Sequence, residues 1–74
     1  MERYANLNGN SGVVLFEIGN TWIKVQFVTG SPYTYSYQKA GETHVEMMKV
    51  LAREGRGLNS YITRNCKYSY DRFS

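Results

Sequence analysis

One histidine, His44, and one cysteine, Cys66, are the chain's whole supply of the side chains that most often carry covalent or metal chemistry. Cys66 lies between Arg64 and Lys67, cations that could draw a thiol toward the thiolate. A thiol protease also needs a histidine base and an orienting amide, and no His and Asn pair completes that arrangement. His44 falls at a helix start beside Glu42 and Glu46, with no nucleophile within sequence reach. One cysteine and one histidine fall short of a four-ligand zinc set. The six carboxylates are scattered rather than paired for acid–base work. These residues point away from catalysis, metals and cofactors, and toward binding.

Binding chemistry is better supplied. The net charge of +3 is unevenly held: residues 1–48 carry three basic and four acidic side chains, whereas residues 49–74 carry six basic and two acidic. Lys49, Arg53, Arg56, Arg64 and Lys67 are the candidate phosphate contacts of that basic third. The plainer alternative is a solvated helical face. Gly55-Arg56-Gly57 followed by Asn59 could open backbone N–H groups toward an anion flanked by Arg56 and Arg64; otherwise it is a tight interhelix turn capped by Asn59. Trp22, or a tyrosine at the rim of the sheet, is the candidate for stacking a base.

The elements that must position these residues begin with residues 21–28. Ile23, Val25 and Phe27 alternate there with Trp22, Lys24 and Gln26, the period of a half-buried strand. A three-residue loop Val28-Thr29-Gly30, with Gly30 as the left-handed bulge residue, sets Tyr33 against Val25 and Tyr35 against Ile23. The tyrosines at 33, 35 and 37 then form a core wall rather than an exposed stacking surface, although a one-residue slip would reverse this. Residues 13–18 read as a preceding strand. Gly19-Asn20 suits a two-residue hairpin loop, which pairs Ile18 with Thr21, Phe16 with Ile23 and Val14 with Val25. Pro32, at the start of the third strand, marks an edge. Lys39-Ala40-Gly41 ends the sheet, and Thr43 with Glu46 forms a capping-box pattern opening an amphipathic helix that Gly55 closes. Leu58, Tyr61 and Ile62 lie on one face of a short second helix reaching about Cys66. Tyr68-Ser69-Tyr70 adds a brief strand or lies on the surface.

The expected fold is α+β: a three-stranded antiparallel meander followed by two helices packed on one face. Residues 1–12 read as a flexible N-terminal arm and residues 13–74 as one small domain. Below about 80 residues a single core rarely supplies more than ~3–5 kcal/mol net, and one cysteine gives no internal disulfide, so dimerisation is a natural expectation. No apolar run is long enough to span a membrane, and there is no signal pattern at the start. With a lone thiol, cytoplasmic location is the default.

Ile23-x-Val25-x-Phe27-x-x-Gly30, the Tyr33/Tyr35 pair, Gly55-x-x-Leu58-Asn59-x-x-Ile62 and then Tyr68 occur in an order and spacing that resembles the KTSC family. This is a short bacterial domain found alone or at the C-terminus of some lysyl-tRNA synthetases. The likeness covers roughly residues 11–70. Gln38-Lys39-Ala40-Gly41 replaces the usual Val-Pro after the tyrosine strand, and Arg53 stands where a serine is often found. The resemblance implies a domain without assigned enzymatic activity, proposed to bind RNA largely because of the proteins it accompanies.

Together these observations lead to an accessory RNA-binding module. Lys49, Arg53, Arg56, Asn59, Arg64 and Lys67 would form its contact surface, with Trp22 stacking. The competing expectation is a protein-interaction or homo-oligomerisation module using the third strand's edge or the Trp22 face.

Overall fold

The computed structural model describes residues 1–7, 9 and 12–71. Arg72, counted above among the C-terminal cations, lies outside them. The fold is α+β, with β1 (Glu2–Arg3), β2 (Val13–Ile18), β3 (Trp22–Phe27) and β4 (Tyr33–Ser36) forming one antiparallel sheet in chain order. Helix α1 (Glu42–Glu54) follows, then α2 (Leu58–Tyr61), which runs without a break into a π-helical turn (Ile62–Cys66).

The β3–β4 hairpin has the register that its turn chemistry requires. Gly30 takes φ +87°, Tyr33 pairs with Val25 and Tyr35 with Ile23. Gln26 secures the turn by donating its side-chain amide to the carbonyls of Phe27 and Gly30, at 2.8 and 3.0 Å. Tyr37 extends the same ladder, its N–H reaching the Thr21 carbonyl at 2.9 Å.

The β2–β3 hairpin differs from expectation. Ile18 pairs with Ile23 and Phe16 with Val25, a shift of two residues. The tip is Asn20-Thr21 rather than Gly19-Asn20, because Gly19 is paired: its N–H donates to the Trp22 carbonyl at 2.9 Å. A two-residue shift preserves which side chains share a face, so Phe16, Ile18, Ile23 and Val25 still lie together. Beyond Leu15 a β-bulge breaks the alternation. Val13 therefore turns into the core and Val14 outward, the reverse of the expected placement.

The sheet has four strands, not three. Part of the segment expected as a loose arm supplies β1, with Glu2 opposite Phe16 and Arg3 opposite Leu15. Tyr4 follows on the core face and is buried, and its hydroxyl accepts the Leu58 N–H at 3.3 Å. The chain then crosses the end of α1, where Leu7 donates to the Gly55 carbonyl at 2.7 Å. Asn8, Asn10 and Ser11, also read as arm, lie outside the described residues.

Helix α1 starts at Glu42 behind Gly41, with no side-chain cap. The expected Thr43/Glu46 box does not form because the helix begins earlier, with Gly41 at the N-cap and Thr43 inside the first turn; Glu46 bonds Tyr37 and Lys49 instead. Its C-terminus is as expected: Gly55, at φ +79°, turns the backbone left-handed and donates to Leu51. Val45, Met48 and Ala52 cover the sheet from α1. Leu58, Ile62 and Cys66 add a second row at four-residue spacing. Four residues overshoot an α-turn by about 40°, and the wider i→i+5 turn after Ile62 offsets that drift. All three side chains thus remain on the core.

Candidate aromatic groove

Tyr35 is the fully buried member of the tyrosine row, while Tyr33 and Tyr37 are half-buried at its two ends. At the Tyr33 end the sheet and the second helix do not close completely. They leave an open groove of about 460 Å³, whose sheet wall is Phe27, Tyr33 and Tyr35. Asn59, Ile62, Thr63 and Lys67 come from the helical side, and Tyr68 and Tyr70 from the segment after it. Asn59, Thr63 and Lys67 recur every four residues, which carries a polar strip down one wall. Among the described residues lining the groove, Lys67 is the one that is charged.

The aromatic side is built by contact between rings. Tyr33 meets Phe27 at 5.8 Å and Tyr70 at 4.6 Å between centroids, and Tyr70 meets Tyr35 edge-on at 6.5 Å. Burial pushes the Tyr35 phenol up, so it remains a neutral hydroxyl. The tail is held over this cluster by Asp71. Its N–H donates to the Thr34 carbonyl at 2.7 Å, and its carboxylate accepts the Ser36 hydroxyl at 2.9 Å. The tail thus occupies part of the edge of β4, which was expected to lie open. At the outer rim Tyr68 is 77% exposed, with the Lys67 ammonium 5.5 Å from its ring centre.

The residues selected from sequence do not all converge here. Asn59 and Lys67 line the groove. Arg53, Arg56 and Arg64 are exposed on the end of α1, the interhelix turn and the π-helical turn. Lys49 is 5% exposed, so it belongs to the interior instead. Its ammonium donates to the Asn20 carbonyl at 3.0 Å and Glu46 at 2.7 Å, and lies 5.6 Å from the Tyr37 ring centre. Tyr37 donates to the same Glu46 oxygen at 2.6 Å. The Glu46 bond pushes the Tyr37 phenol up to about 12. Lys49 first, then Tyr37, holds the Glu46 carboxyl below its ordinary value. This network ties the β2–β3 tip and the end of β4 to α1.

Trp22 stands apart, on the opposite face of the sheet beside Lys24, Thr34, Ser36 and Asp71. The interhelix turn offers few donors for an anion: Gly55 N–H goes to Leu51, Leu58 N–H to Tyr4, and Asn59 forms no cap. Cys66 is fully buried, and desolvation raises its thiol pKa, the reverse of the lowering expected from Arg64 and Lys67. His44 bonds the Tyr61 hydroxyl at 2.7 Å and joins the two helices. No cluster of three potential metal ligands occurs among the described residues, and no helix among them is long and apolar enough to cross a membrane.

Sequence reasoning missed the groove because its walls come from four separated segments. A usable signal was present in Tyr68-x-Tyr70 directly after Lys67, aromatics interleaved with charge outside the regular elements. Comparison of the chain with family models, curated proteins and solved structures returned no match.

Proposed function

We propose that the chain is a small non-enzymatic module, KTSC-like in kind, that binds RNA through the aromatic groove and exposed cations of its helical half. The observation carrying this reading is the groove's composition among the described residues: aromatic walls, a polar strip and the Lys67 charge. Stacking on such rings is tolerant of base identity. Exposed Arg53, Arg56 and Arg64 would hold phosphates. A cytoplasmic, bacterial, accessory setting is part of the same proposal and rests on the resemblance in sequence.

Four such contacts on a single strand would release counterions with a slope of about −0.7 each. Affinity for RNA should then fall about 50-fold between 50 and 200 mM salt. Replacing Arg64 with Ala should flatten the slope by about 0.7. Absence of binding at low salt overturns the reading.

The competing reading, a self-association module, is favoured by Met47 and Val50, which are exposed one turn apart on α1. Sedimentation at high concentration separates the two. A dimer weakened by Met47→Gln and indifferent to Lys67→Ala would support association.

A further inference from the structure

We infer that the groove's ligand is an unpaired base of a single-stranded RNA segment, stacked on Tyr68 with its neighbouring phosphate at Lys67. This deepens the RNA-binding reading and rests on it. Tyr68 is the most exposed large apolar side chain among the described residues, at 77%. Its ring therefore offers a large apolar face to a partner while its hydroxyl stays in water. The Lys67 ammonium, 5.5 Å from the ring centre, addresses one face and leaves the other to a planar partner.

The surroundings discriminate further. Thr63 and Asn59 stand one and two helical turns before Lys67 on the groove's wall. An amide and a hydroxyl both donate and accept, which suits the Watson–Crick edge of a base that has left its pair. A duplex hides its base faces and offers this wall only phosphates and sugars. Duplex RNA is instead read across wide shallow grooves by contacts spread over many base pairs, whereas among the described residues lining this groove only Lys67 is charged. Among the described residues no carboxylate lines the groove to repel a phosphate. Aromatic faces and a single cation together select an unstacked nucleotide.

The test measures binding of a fluorescently labelled single-stranded RNA, the same sequence annealed to its complement, and the same strand with abasic positions, all at low salt. The single strand should bind at least about tenfold more tightly than either competitor, the scale of losing one stacked base. Tyr68→Ala should lose about tenfold on the single strand and nothing on the duplex, whereas Tyr68→Phe, which keeps the ring, should bind as the parent does. Tyr68 is at the surface, and circular dichroism checks that each variant is folded. Equal binding of strand and duplex, or a neutral Tyr68→Ala, overturns the inference while leaving salt-dependent RNA binding intact. Failure to bind any of the three RNAs overturns both.

Discussion

Gly55→Ala isolates the most sensitive crossing in the fold. Gly55 has φ +79°, and a Cβ there would lie 2.6 Å from the Cβ of Ala5. Gly30 provides the control, with φ +87° and nothing within 4 Å of its would-be Cβ. Placing alanine in a left-handed conformation costs about 1–2 kcal/mol, which both variants share. Forcing apart a close backbone crossing adds about 1–3 kcal/mol, which Gly55→Ala alone incurs. Its total of roughly 2–5 kcal/mol is comparable with the ~3–5 kcal/mol that a domain of this size can hold. Urea unfolding followed by the fluorescence of Trp22 gives both numbers. Gly30→Ala should shift the midpoint modestly, and Gly55→Ala should leave the protein at the margin of folding. The double variant Gly55→Ala with Ala5→Gly should recover the steric part and retain the conformational part, a coupling readable from the cycle. Equal losses in the two single variants would refute the claim that the N-terminal segment is threaded tightly over the end of α1.

Three further outcomes are expected. Tyr37, held by Glu46 and pushed up to about 12, keeps its proton in the folded state after the unfolded phenol has lost it. Its contribution is therefore full up to about pH 10 and disappears as pH rises toward 12; ultraviolet titration of Tyr37→Phe should lack that late phenol. Glu46 has the opposite sign: its lowered carboxyl pKa supports the fold above the ordinary carboxylate range and ceases to do so as pH falls through the folded value. Glu46→Gln should accordingly flatten the acid limb of a pH–stability curve, and an unchanged limb would count against the Lys49–Glu46–Tyr37 network. Cys66, buried and raised in pKa, should react with a water-soluble disulfide reagent only as fast as the domain unfolds, so rapid labelling in native buffer would contradict its placement.

The β3–β4 register was legible because Gly30 is the one residue near that turn that accepts a positive φ freely, and the loop length then follows. The β2–β3 register was less so. Gly19-Asn20 and Asn20-Thr21 are both plausible tips, and the shift between them moves no side chain across the sheet. Thus the core could be identified without the correct pairing. Val13-Val14-Leu15 is apolar throughout, so nothing in its pattern shows which residue a bulge expels. Tyr4 is a single aromatic in a polar stretch, and its burial depends on Leu58, 54 residues away. Lys49 presents the same difficulty. Its i,i+3 partner Glu46 can be seen along the helix, but the Asn20 carbonyl that draws it inward comes from another hairpin. The groove combines these problems, since Phe27, Tyr33, Tyr68 and Tyr70 become neighbours only once both helices have packed.

The bond from Leu58 to the Tyr4 hydroxyl also constrains the order of events during synthesis. A ribosome releases the strands first, so Phe16, Ile23, Val25 and Tyr35 emerge before Val45, Met48, Leu58 and Ile62 can cover them. The nascent sheet therefore presents a wet apolar face, and hairpins in that state are marginal. The Tyr4 hydroxyl cannot meet its Leu58 partner until the second helix has left the exit tunnel, so that side of the core is closed last.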